Sequence, residues 1–84
     1  MKLSFDKRYF RKYERESNRV HEPMPTTYQV FNIGGQKYFQ LDCYKENTDI
    51  KEIGSSVQSN HKLQFDKETA KKFIELLKKE FDFQ

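Results

Sequence analysis

The chain predicts an α+β fold: an N-terminal helix, an antiparallel sheet of three or four strands, and a C-terminal amphipathic helix. Three observations carry this. A Gly34-Gly35 pair sits between two runs rich in Tyr, Phe, Val and Ile; residues 70–81 place apolar side chains at helical spacing; and residues 4–18 set an aromatic arc beside a basic one behind a Ser cap, within the first 24 residues, which also hold all the net charge. With 84 residues the chain is one small domain, organised as a basic segment and connector over 1–27 and a sheet-plus-helix unit over 28–84. A domain of this size buries only about 60 to 65% of its unfolded surface, so a second copy or a bound partner would add stability, and a homodimer is expected.

Taken in order, Ser4 can open a helix by accepting a first-turn amide, with Asp6 suited to the positive helix end. The helix would run to about Asn18. At 100° per residue Phe5, Tyr9 and Tyr13 share a face with Val20 beyond the end, and Arg8, Arg11, Lys12, Arg15 and Arg19 fill the adjacent arc. The basic stripe is either a ligand surface or a solvated flank, with some arginines paired to Glu14 or Glu16. His21 to Thr27 contains two prolines and reads as an extended connector.

The hairpin follows. A turn centred on Gly34-Gly35 sets Val30 opposite Phe39, Tyr28 opposite Leu41 and Phe31 opposite Tyr38. Alternation then assigns Tyr28, Val30, Phe39, Leu41 and Cys43 to a core face. Gln29, Phe31, Gln36, Tyr38, Gln40, Asp42 and Tyr44 fall on an open one. Lys45 to Asn60 is a long polar loop with Ile50, Ile53 and Val57 as anchors. A third strand is expected from about Val57 to Phe65, with Leu63 and Phe65 inward.

Asp66 is placed to cap the last helix, with Glu68 in its first turn and Ala70, Phe73, Ile74, Leu77 and Phe81 on one face. Glu68 with Lys72, and Glu75 with Lys79, have the favoured order at four-residue spacing. Phe73, Ile74, Leu77 and Phe81 are expected to pack on Val30, Phe39, Leu41, Leu63 and Phe65.

Composition narrows the function. The N-terminus has no apolar run, and no stretch approaches the roughly 18 apolar residues of a membrane span, so neither secretion nor membrane insertion is expected. The lone Cys43 cannot form an intramolecular disulfide and reads as a small buried hydrophobe, which suits a cytoplasmic setting. His21, His61 and Cys43 lie on different elements, so no zinc pattern is formed. Nor is there a nucleophile triad, a P-loop or a dinucleotide loop. No catalytic residue, metal or cofactor is therefore assigned. Asp42, Glu46, Asp49 and Glu52 with Lys37, Lys45 or Lys51 are the only raw material for a magnesium-dependent nuclease site, and their plainer reading is loop solubility. His61 falls in the inward register of its strand, where a hydrogen-bonded structural histidine is expected.

Nucleic-acid binding has more residues behind it. Single strands need a positive groove and aromatic platforms. Phe31, Tyr38 and Tyr44 can stack bases, Gln29, Gln40 and Asn60 can bond base edges, and Arg8, Arg11, Lys12, Arg15 and Arg19 can hold phosphates. The same face could instead meet a protein, which makes a small inhibitor or adaptor, such as a mobile-element counter-defence protein, the alternative.

Lys37 to Tyr44, the polar loop, and His61 to Ala70 running into Phe-Ile-Glu-Leu-Leu resemble the family of the transcriptional coactivator positive cofactor four and its bacterial relatives. The Tyr-Phe-Gln-Leu-Asp strand is also similar to that of short bacterial and mobile-element proteins of uncertain activity. The positive cofactor four resemblance spans about residues 28–82. It implies a curved antiparallel sheet followed by a helix, dimerisation mainly through the helices, and single-stranded DNA on the sheet. Tyr38 and Tyr44 would then be the strand aromatics, and Lys45 and Lys51 would belong to the basic loop.

Overall fold

A computed structural model describes residues 1–54 and 56–83. Strand β1 (Thr26–Ile33), strand β2 (Gln36–Cys43), a 3-10 turn at Ile50–Glu52, strand β3 (His61–Asp66) and helix α1 (Lys67–Phe81) follow in order. The strands form an antiparallel meander in the order β1-β2-β3.

Gly34 and Gly35 take φ of 61° and 79°, the left-handed pair that a two-residue hairpin needs to match strand twist. The register is the expected one: Tyr28 faces Leu41, Val30 faces Phe39 and Phe31 faces Tyr38. Asp66 caps α1 as its sequence position predicts, its Oδ1 accepting the Thr69 N–H at 2.9 Å. The helix ion pairs form one residue earlier than expected, Glu68 with Lys71 and Glu75 with Lys78.

The expected N-terminal helix is absent: the fold is a three-stranded antiparallel sheet with one helix, at its C-terminal end. Residues 1–3 instead lie along the outer edge of β3, where Leu3 N–H donates to Gln64 O and Gln64 N–H donates to Met1 O, both at 2.7 Å. Beyond this bridge the side chains capture the backbone in turns. Ser4 Oγ accepts from Asp6 N–H, and Asp6 Oδ1 accepts from Arg8 N–H. A helix would also have set Arg8 against Arg11 and Lys12, and Arg11 against Arg15, at the three- and four-residue spacings where like charges repel. The extended chain separates them.

The other corrections concern β3 and the core. Val57 lies outside β3, which begins at His61, and His61 is exposed. α1 follows β3 and touches the sheet through it, with Phe73 edge-on to Phe65 at 6.3 Å and Phe5 at 6.2 Å from Phe73. Ile74 and Phe81 stay exposed, as do Tyr28 and Val30 across the sheet. The face expected to be the core is therefore only half covered. The opposite face holds the most buried residues, Tyr44, Gln40 and Asp42, at 6, 7 and 8% exposure. The loop end is tied to that face: Lys62 Nζ reaches Ser59 Oγ at 2.8 Å and Asp42 Oδ1 at 3.6 Å, while Thr48, Ile53, Val57 and Ser59 lose part of their exposure.

Candidate nucleic-acid interface

The first 25 residues run mostly extended, with one turn where Tyr9 and Phe10 N–H donate to Asp6 O. In extended chain, residues two apart point the same way. Arg11, Tyr13 and Arg15 therefore share a side, and both guanidinium groups lie over the Tyr13 ring, at 5.2 and 5.9 Å from its centroid. The Tyr13 ring remains 65% exposed. Arg8 covers Tyr9 at 5.2 Å in the same manner.

The cations of this segment are not equivalent. Arg8 Nε lies 3.0 Å from Asp6 Oδ1, and this bond together with the Arg8 backbone N–H holds the Asp6 carboxyl below its ordinary value. Lys12 lies between Glu14 at 3.5 Å and Glu80 at 3.7 Å, which ties the segment to the last turns of α1. Arg11, Arg15 and Arg19 form no ion pair among the described residues, and Arg15, Arg19 and His21 line an open hollow of about 310 Å³.

On the sheet, Phe31 and Tyr38 stack at 5.7 Å with ring planes 24° apart, and Lys2 Nζ lies 5.9 Å from the Tyr38 centroid. Tyr38 Oη donates to Gln36 Oε1 at 3.0 Å. These two aromatics are half-buried and keep a solvent edge. Gln40 and Tyr44 do not. Gln40 accepts from Gln64 Nε2 through Oε1 and donates through Nε2 to Asp42 Oδ1 at 2.8 Å, so its amide is spent inside the sheet. The Tyr44 hydroxyl lies 3.5 Å from that of Thr27, and Tyr44 is itself buried. Lys45 and Lys51 are exposed in the loop, and Lys51 N–H donates to the capping Asp49 Oδ1 at 2.9 Å. Among the described residues no three His, Cys, Asp or Glu side chains converge on a common point that could hold a metal ion.

Sequence reasoning placed Tyr9 and Tyr13 on one face of a helix, beside the basic stripe, and did not count them among the binding residues. The signal that finds them is the alternation Arg11-x-Tyr13-x-Arg15, which means little on a helix and makes one continuous surface on extended chain. The result is a small α+β domain, a β-meander closed by one helix, carrying a basic and aromatic ribbon. Comparison with protein-family models, curated proteins and solved structures finds no match to the chain. No described helix is long and apolar enough to cross a membrane.

Proposed function

We infer that the chain is a non-catalytic module that binds single-stranded nucleic acid through the ribbon at Arg8–Arg15, extended by Arg19, Lys2 and the Phe31–Tyr38 stack. The observation that carries this reading is the Arg11-Tyr13-Arg15 arrangement: a 65% exposed tyrosine bearing two guanidinium groups that form no ion pair among the described residues, a planar cationic and aromatic cluster able to stack on a base and to bond phosphates. The resemblance of residues 28–82 to the positive cofactor four family supports the same ligand class. The lone Cys43, half-buried and unpaired, supports a reducing cytoplasmic setting.

The test is fluorescence anisotropy with a labelled single strand of about 20 nucleotides against its duplex, across a salt series. Preference for the single strand is expected. Loss of one stack in Tyr13→Ala should weaken binding by about fivefold or more, since each stacked base contributes about 1 to 3 kcal/mol. Arg11→Ala and Arg15→Ala should each lower the slope of log affinity against log salt by about 0.7 if each holds one phosphate. No binding at low salt overturns the reading. A small protein-binding inhibitor or adaptor would then take its place, favoured by the apolar groove of about 210 Å³ between Val30, Phe39, Phe65 and Ala70.

A further inference from the structure

The β3 edge of the sheet is bridged at its centre, whereas the β1 edge is open along its length. On β3 both backbone groups of Gln64 are taken by residues 1–3, so Gln64 turns away from Gln40 and the hydrogen-bonded pair beside it is Phe39 with Phe65. It follows that Phe39 points toward β3, that Val30 makes no ladder bonds to it, and that Val30 N–H and C=O point outward from β1. Tyr44 N–H donating to Pro25 O fits the same alternation. Thr26, Tyr28, Val30 and Asn32 therefore present eight backbone groups along the free edge. Among the described residues none of these groups has a backbone partner.

Protein sheets guard such edges with Lys, Pro, bulges or inward charges. β1 has none of these. Thr26–Ile33 reads TTYQVFNI, eight residues without a charge or a proline in a chain that is 35% charged. Tyr28 and Val30 stand 69 and 50% exposed beside the open groups. The accessible surface of 7827 Å² also exceeds the roughly 5,300 Å² of a compact globule of 10.2 kDa. The excess, about 2,500 Å² in one chain, is larger than the roughly 800 Å² that each partner of a standard interface buries, and part of it belongs to the extended first 25 residues.

We propose that two copies of this chain pair antiparallel along β1, with Gln29 on the two-fold axis, to make one continuous six-stranded sheet. This register satisfies all eight outward groups of each copy. Thr26 faces Asn32 of the other copy and Tyr28 faces Val30, an aromatic and β-branched pair of the kind that stabilises adjoining strands. On the opposite face Gln29 meets its own symmetry mate. Within one copy Gln29 faces Gln40 and Gln40 faces Gln64, so the pairing extends this row into six side-chain amides across the double sheet. Among the described residues the Gln29 amide forms no hydrogen bond inside the chain, and the partner's Gln29 supplies one. The contact is distinct from the helix-mediated dimer that the family resemblance implies, and it does not depend on nucleic-acid binding.

Sedimentation velocity from about 10 to 200 µM should give a wild-type mass near twice 10.2 kDa. Gln29→Lys places like charges opposite each other only in the dimer and should raise the dissociation constant at least about fivefold, whereas Gln36→Lys, outside the interface, should not. Gln29→Cys in a Cys43→Ser background should cross-link under oxidised glutathione. Facing residues of a non-hydrogen-bonded pair have Cα atoms about 4.5 Å apart, within disulfide range. If circular dichroism shows that Gln29→Lys does not fold, the cross-link decides. A monomer throughout the concentration range overturns the proposal. So does a dimer that resists Gln29→Lys and fails to cross-link, or one abolished by Phe81→Asp alone, which would place the interface on α1.

Discussion

Replacing Asp66 separates two tasks that its two oxygens carry. Oδ1 accepts the Thr69 N–H at 2.9 Å and so caps α1; Oδ2 faces Lys2 Nζ at 3.6 Å and so holds the N-terminal segment to the sheet. Asp66→Asn keeps an acceptor for the cap and removes the charge, whereas Asp66→Ala removes both. An N-cap is worth about 1 kcal/mol, with a range of roughly 0.5 to 2. The Lys2 pair, with its ammonium more than half exposed, adds about 0.2 to 1 kcal/mol. Asp66→Ala should therefore cost about 1.5 kcal/mol and Asp66→Asn about 0.5. The pH dependence has a definite sign. The Thr69 backbone N–H chiefly, then its side chain, with Lys2 adding, hold the Asp66 carboxyl below its ordinary value of 3.8 against a small opposing cost of desolvation. A carboxyl whose folded pKa is lowered contributes fully above the unfolded value and loses its contribution as pH falls through the folded one. The gap between wild type and Asp66→Ala should thus be level from pH 7 to about 5 and should narrow below about 4, the neutral carboxyl keeping an acceptor for the cap. Urea denaturation followed by circular dichroism at 222 nm, at one protein concentration and at pH 7, 5 and 3, reads all three quantities. The reasoning fails if Asn costs as much as Ala, or if the gap widens on acidification.

Three further outcomes follow from the packing. Tyr44→Ala should destabilise the domain by about 3 kcal/mol, because Tyr44 is the most buried apolar side chain, while Tyr44→Phe should cost under about 1; equal loss in both would mean that the hydroxyl, not the ring, matters. Gln40→Ala should cost about 1 to 3 kcal/mol by stripping Gln64 and Asp42 of their partner, and thermal melts should show Gln40→Ala well below Gln29→Ala, whose amide has no partner among the described residues. Gly35→Ala, at φ of 79° with nothing near the added methyl, should cost about 1 kcal/mol through backbone strain alone, and a stability equal to wild type would refute the left-handed turn.

The hairpin and the helix cap were legible because both are set by neighbours in sequence. Gly34-Gly35 supplies the turn, and alternation then allows one register. Asp66 three residues before Thr69 supplies the cap. Two features were not legible. Alternation sorts Gln40 and Asp42 from Phe39 and Leu41, but it does not say which side a long loop will cover. The expectation that the apolar side is sealed gave the inverse of what is found. The bridge of residues 1–3 to Gln64 joins positions that no local window contains, whereas the turns at Ser4 and Asp6 and the repulsive Arg8/Lys12 and Arg11/Arg15 spacings, which replace the expected helix, were visible in the sequence. Of the predicted site, the arginines and the Phe31–Tyr38 stack remain accessible. Tyr44 and Gln40 are withdrawn by burial, and Tyr13 gains its place from the extended chain.

The short bridge that residues 1–3 make with Gln64 has a consequence for assembly size. A sheet with two open edges can add strands at both ends, and its assembly is a polymerisation with no natural stop. A sheet with one open edge can only terminate. The bridge occupies the centre of the β3 edge, so the association proposed through β1 would exhaust the available valence after a single event and yield a species of defined size. Deleting residues 1–5 should convert a chain of valence one into a chain of valence two, and light scattering should then report growth that continues with concentration.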